Sequence, residues 1–171
     1  MIVRKLFNEA TFTISDDDYE YEYDDTKEQF IDGDKLTLGG YTWTRIGALQ
    51  GHDLYLCDDV VREMAFNSNG RDNRWENSDV RRWLNNNFYN KLSDDEKEII
   101  VKNRELNDNI FLLSEEKYKK FRNNIPLLRV RWWLRTPGDY DYYAAGVYFD
   151  GGIFCSNVSY SEIGVRPALL V

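Results

Sequence analysis

Apolar and polar positions alternate in some stretches of this chain and recur at helical spacing in others. The two periods divide it into strands, then helices, then strands. From Gly33 onward, Leu36 and Leu38 lead into Gly39-Gly40 and then Tyr41-Thr42-Trp43-Thr44-Arg45-Ile46. Two glycines between strand-forming runs predict a tight hairpin. After Gln50-Gly51-His52, the run Asp53-Leu54-Tyr55-Leu56-Cys57 predicts the next strand, and the polar residues 67 to 76 read as a loop. Val80, Trp83, Leu84 and Phe88 then fall at i, i+3, i+4 and i+8, one apolar face of a helix. Asn77 or Ser78 can cap that helix, with Asp79 at its positive end. Ser93-Asp94-Asp95-Glu96 has the form of a capping box and opens a second short helix with Ile99 and Ile100. Residues 109 to 113 read as a buried strand. Ser114-Glu115-Glu116 opens a third helix, which carries Tyr118 and Phe121 and ends between Asn123 and Pro126.

Strand periodicity returns at Trp132-Trp133-Leu134-Arg135, which Pro137-Gly138 stops. Residues 144 to 149 and 153 to 158 predict a hairpin around Asp150-Gly151-Gly152, and residues 165 to 170 predict the last strand. Alternation places Arg129, Arg131, Trp133 and Arg135 on one face and Val130, Trp132 and Leu134 on the other. A basic-aromatic strip suits single-stranded nucleic acid, but the expected use of Arg135 and Arg166 is burial against carboxylates, or for Arg166 against loop carbonyls. Trp83, Trp132, Trp133, Arg166 and Pro167 are expected to be scaffold, with the first helix packing on a sheet through Trp83 and Trp132. Pro167 has no N–H for a ladder and predicts an edge or bulge. Strands, helices, then strands give an α+β fold: antiparallel sheets with two or three short helices packed against them.

Ahead of this pattern, residues 1 to 29 read as an acidic N-terminal arm or edge strands, with the folded domain over residues 30 to 171. Tyr19-Glu20-Tyr21-Glu22-Tyr23 alternates perfectly, and its like charges suit an edge or exposed position. Asp16, Asp17, Asp18, Glu20, Glu22, Asp24 and Asp25 stand without a basic residue among them, so this stretch holds all but one unit of the net charge of −8. The balance argues against phosphate-backbone binding across the whole surface and permits an acidic contact to a basic partner. With 42% hydrophobic residues the chain of 171 can bury a sizeable core. Cys57 and Cys155 lack metal-ligand or redox spacing and read as thiols of a reducing cytoplasm. No apolar run predicts a leader or a membrane span.

Catalytic chemistry is looked for without result. His52 is the only histidine, so no multi-histidine metal site can form, and Asp53 points to the opposite strand face. The glycine pairs at 39–40 and 151–152 lack the lysine and helix of a phosphate loop. Acids are abundant, but nothing promotes one carboxylate pair for glycoside hydrolysis. Asp139, Asp141 and Asp150 fall short of the six or more oxygens that calcium takes. No cofactor or metal is expected.

Four ordered motifs carry a resemblance: Trp83-Leu84-Asn85, Ile110-Phe111-Leu112-Leu113-Ser114, Trp132 to Gly138, and Gly164-Val165-Arg166-Pro167-Ala168-Leu169. Together they resemble DUF6273, an uncharacterised bacterial and phage-associated domain family, over roughly residues 30 to 171. The Trp-rich strand, the hairpin and the closing Gly164-Val165-Arg166 are also similar to C-type-lectin-like domains, among them the variable proteins of diversity-generating retroelements and the formylglycine-generating enzyme fold. That likeness implies a C-type-lectin-like architecture whose binding face lies between the anchors. It would place Tyr140, Tyr142, Tyr143, Tyr148, Phe154, Asn157 and Tyr160 near the site. The lectin calcium signatures are absent, and only Cys155 stands where the formylglycine-generating enzyme has a cysteine pair, so neither activity carries over.

The reading that follows is a non-enzymatic recognition domain. It would bind a protein or glycan through its tyrosine-rich loop and hairpin, because tyrosine gives large contact area for little rotamer entropy. The alternative is a phage or mobile-element inhibitor of a host nucleic-acid machine. In that reading the acidic segment from Asp16 to Asp25 acts as a phosphate mimic against a basic nucleic-acid-binding protein. Neither reading involves direct nucleic-acid binding or a membrane.

Overall fold

The computed structural model describes residues 31–171, so the acidic segment and the expected strands before it lie outside the described residues. The folded part is α+β, with two sheets and a few short helices. The first sheet runs in the order β1 (Ile31–Asp32), β2 (Lys35–Leu38), β3 (Tyr41–Leu49), β4 (His52–Cys57), β11 (Ala168–Leu170) and β6 (Ile110–Phe111). The second runs β5 (Arg62–Glu63), β10 (Gly164–Val165), β7 (Trp132–Pro137), β8 (Tyr143–Val147) and β9 (Ile153–Asn157). All strand pairs are antiparallel except β10 with β7, which run parallel at Gly164 and Trp132.

Local chemistry accounts for most element ends. Gly39 and Gly40 take positive φ angles of 63° and 79° between Leu38 and Tyr41, which face each other; this turn, open to glycine at both positions, matches the twist of its strands. Ser93 caps α2 (Asp94–Glu98) in a full capping box with Glu96, and that glutamate also accepts from the Gly39 N–H at 2.7 Å. Ser114 caps α3 (Glu115–Phe121) by accepting from the Lys117 N–H. Helix α3 lies between the sheets: Phe121 occupies the space a side chain at Gly47 of β3 would need, and Tyr118 meets Trp132 of β7 edge-on at 5.6 Å.

Two expectations about the anchors change. Ser78 caps α1 (Asp79–Arg82), but from Trp83 to Phe88 the helix widens to π geometry. The wider turns rotate successive side chains differently from 3.6-residue spacing. Val80, Leu84 and Phe88 reach the core, while Trp83 is only half-buried at its margin, with the Arg62 guanidinium 5.4 Å from its ring centroid. Trp83 therefore does not dock the helix on the sheet. Trp133 is fully buried: its indole N–H donates to the Met64 carbonyl and its ring meets Phe66 at 5.7 Å. Both faces of β7 are thus covered, Trp132 under α3 and Trp133 under Phe66.

The single strand expected over 165–170 is two. Gly164–Val165 belongs to the second sheet and Ala168–Leu170 to the first, and Arg166-Pro167 carries the chain between them. Proline suits a corner where no ladder N–H is required; its carbonyl accepts from the Cys57 N–H.

Cys57 and Tyr55 sit on β4, fully buried, and the Tyr55 hydroxyl has no hydrogen-bond partner among the described residues. Burial pushes the Cys57 thiol from 9.0 up to about 11 and the Tyr55 phenol from 10.0 up to about 12. Between ordinary and raised values the unfolded chain has released a proton that the folded chain holds. Stability is therefore complete below pH 9 and falls as pH rises. For Cys57 alone the loss approaches about 2–3 kcal/mol by pH 11. Melting temperatures recorded from about pH 8 to pH 10 should decline, and in Cys57→Ala the slope should flatten. An unchanged slope would remove Cys57 as the cause.

Candidate functional site

The tyrosine loop follows β7 and is closed by its own backbone. Gly138 N–H donates to the Tyr143 carbonyl at 2.8 Å, and Tyr143 N–H donates to the Tyr140 carbonyl at 2.9 Å. The hub is Asn73, buried in the polar stretch 67–76. Its side-chain amide donates to the Tyr140 and Tyr143 carbonyls at 2.8 and 2.9 Å and lies 3.4 Å from that of Gly138. An amide has two hydrogens, so the two short contacts are the bonds. On this support Tyr140 and Tyr142 stack with centroids 5.5 Å apart and planes 13° from parallel, and Tyr143 meets Tyr142 at 4.7 Å. Tyr140 is 59% exposed and Tyr142 37%.

The other residues proposed from the sequence do not all join them. Asn157 pairs with Tyr143 across β8 and β9, and Tyr160 follows in the next turn, donating its N–H to the Asn157 carbonyl. The Asn157 side chain is occupied in that turn, accepting from the Ser159 N–H and hydroxyl. Tyr148 lies at the opposite end of the hairpin, about 17 Å from Tyr143 along the strand by the rise of five residues, and Phe154 packs against it there. There the turn from Tyr148 to Gly152 is closed by two hydrogen bonds, with Gly151 at φ 82°. Tyr148 meets Phe154 edge-on at 5.3 Å and Phe149 at 4.8 Å. The seven residues therefore form two patches, a loop patch and a tip patch. The acidic set Asp16, Asp17, Asp18, Glu20, Glu22, Asp24 and Asp25 lies outside the described residues.

Arg166 is held by carbonyls, one of its two expected settings, whereas Arg135 departs from its expected carboxylate pairing. Arg166 is buried without a carboxylate: it donates to the Cys57 and Pro126 carbonyls at 2.8 and 3.0 Å and covers the Trp132 ring at 5.1 Å. Burial lowers its pKa to about 10, so it remains charged at neutral pH. The Nε of Arg135 is buried with no partner among the described residues. Burial pulls its pKa down, against the attraction of Glu105, Glu116, Glu76 and Asp108. The buried ion pair is Arg81 with Asp108, which also accepts from the Trp75 indole. Sequence reading missed both Asn73 and Asp108, because each takes its partners from distant elements.

A separate cleft of about 450 Å³ opens beside the first hairpin, lined by Gly40, Tyr41, Val61, Trp83, Phe88 and Lys91. The π geometry that displaces Trp83 from the core brings it here. Among the described residues no three His, Cys, Asp or Glu side chains are grouped to hold a metal ion. Cys57 is buried and Cys155 exposed, both free. Among the described residues no helix is long and apolar enough to cross a membrane.

No curated protein and no solved structure matches this chain. The model of one family, the domain of unknown function DUF6273, matches residues 50–171. The match starts at the turn between β3 and β4, later than the resemblance suggested, and takes in β4, β6 and β11 of the first sheet and all of the second. It spans most of the chain and includes the tyrosine loop, the hairpin, Asn73 and Arg166, and on that match the protein belongs to the DUF6273 family.

Proposed function

We propose that this domain is a recognition module, C-type-lectin-like in architecture, that binds a protein or glycan through the tyrosine-rich loop and hairpin without chemical turnover. The observation that carries the reading is the Tyr140–Tyr142 stack, two exposed rings in mutual contact on a loop fixed by a buried asparagine. Rigid aromatic area costs little ordering entropy on binding, and tyrosine adds a hydroxyl for polar contacts. Both a sugar ring and a protein surface can use such a platform.

The double variant Tyr140→Ala/Tyr142→Ala tests it. These rings contribute little to the core, so the melting temperature should stay near that of the parent chain. Parent and variant, immobilised side by side, would be compared on a glycan array and by quantitative proteomic capture. A defined set of ligands retained by the parent and weakened at least about tenfold by the variant is expected, since aromatic anchors dominate small interfaces. Identical profiles for the two proteins would sink the reading.

A further inference from the structure

We propose that the open edge of β9, with the arginines and aromatic rings around the hairpin tip, binds an extended acidic peptide by strand addition. This deepens the recognition reading and rests on it, since Tyr148 and Phe154 belong to the proposed surface.

Among the described residues, strand β9 ends the second sheet and its five residues pair only with β8. Among the described residues, the other sheet edges, β1, β6 and β5, have two residues each. Hydrogen bonds at both ends of the hairpin, Tyr148 N–H to Gly152 and Val158 N–H to Tyr142, fix which residues of β9 face β8. Even-numbered positions turn inward, so the N–H and C=O of Ile153 and Cys155 point outward. Among the described residues no hydrogen bond reaches those groups. Natural sheets guard long edges with charge, proline or a bulge. Ile153-Phe154-Cys155-Ser156-Asn157 has no charge and no proline, and its pairing with β8 shows no register shift.

A peptide laid along this edge places alternate side chains over the two faces of the sheet. One face offers Phe154, with Tyr148 at 5.3 Å and the Arg131 guanidinium 5.9 Å from its ring. At the tip, Leu127 and Arg122 pack against Gly151 from the side of α3. Leu127 is 60% exposed and Phe149 57%. Neither Arg122 nor Arg131 forms an ion pair among the described residues. Two free guanidiniums beside exposed apolar groups select carboxylates with large apolar neighbours. A peptide fits better than single-stranded nucleic acid. Nucleic acid cannot complete a strand ladder or use Leu127 as a stacking platform.

The test uses the full chain and three labelled probes: a peptide alternating glutamate with valine and tyrosine, the same peptide with lysine for glutamate, and oligothymidylate. Anisotropy reads binding, and alkylation of exposed Cys155 by iodoacetamide reads occupancy of the edge. The acidic peptide should bind and slow alkylation. Arg122→Glu/Arg131→Glu should weaken it at least about tenfold, the scale for lost charge complementarity. Cys155→Pro, which removes an outward N–H and leaves the β8 ladder intact, should weaken it as well. The proposal is overturned by no binding of the acidic peptide, by equal binding of the lysine peptide, by binding that leaves Cys155 labelling unchanged, or by preference for oligothymidylate. Failure here, while Tyr140→Ala/Tyr142→Ala still loses its ligands, would refute the edge and leave the loop reading standing. Success here with unchanged ligand profiles in that variant would do the reverse.

Discussion

Asp108→Ala should lower stability by about 3–5 kcal/mol, the scale for removing one partner of a buried ion pair. Asp108 is 3% exposed and accepts from the Trp75 indole at 2.7 Å and from Arg81 Nε at 2.8 and 3.0 Å. Alanine would strand a buried indole N–H and a partly buried guanidinium together. The damage would spread, because Trp75 packs on Phe66 and Phe66 on Trp133 of β7. Asp108→Asn keeps one acceptor oxygen and should cost less, about 1–3 kcal/mol. Urea denaturation checks both: the midpoint should fall with an unchanged slope. A midpoint within error of the parent for Asp108→Ala would show that the network is not needed for the fold. Domains of this size hold about 5–15 kcal/mol in total, so the alanine variant should be marginal at best.

Arg166→Ala should be comparably severe, about 3–5 kcal/mol, by a different route. Its guanidinium ties the Cys57 carbonyl at the end of β4 to the Pro126 carbonyl after α3, and it fills the space over Trp132. Truncation leaves two carbonyls without a donor and a cavity against an indole. Arg166→Lys retains the charge, but a single ammonium lacks the planar fork that spans two separate acceptors. The expected order of midpoints is parent, then lysine, then alanine. A lysine variant as stable as the parent would mean that charge alone, rather than the fork, holds the corner.

Elements built from neighbours in the chain were legible in the sequence. The Gly39-Gly40 hairpin, the Ser93 capping box and the Ser114 cap depend on residues within a few positions of one another, and all three are present. Burial of Trp132 and Arg166 was legible too, from strand alternation and the cost of an isolated charge. Trp83 was not, because the helical period that placed it beside Leu84 fails where the helix widens. The break of the last strand at Arg166-Pro167 depends on which sheet each half joins, and no local signal encodes that choice. The candidate site was legible as a composition but not as a geometry. The tyrosines were visible, yet their division into two patches follows from β8 separating Tyr143 from Tyr148. Their support by Asn73 comes from a residue nearly seventy positions earlier.

The placement of β11 has a consequence for synthesis. Ala168–Leu170 is the bridge between β4 and β6, pairing Ala168 with Leu56 on one side and Leu169 with Ile110 on the other. As the chain emerges from the ribosome, β4 is exposed more than a hundred residues before the strand that joins it. Until then the first sheet exists as separate pieces with unsatisfied inner edges, the state in which nascent chains associate wrongly. Closing that span late makes the topology slow as well. Chaperone demand during translation should therefore concentrate on the exposed edge of β4.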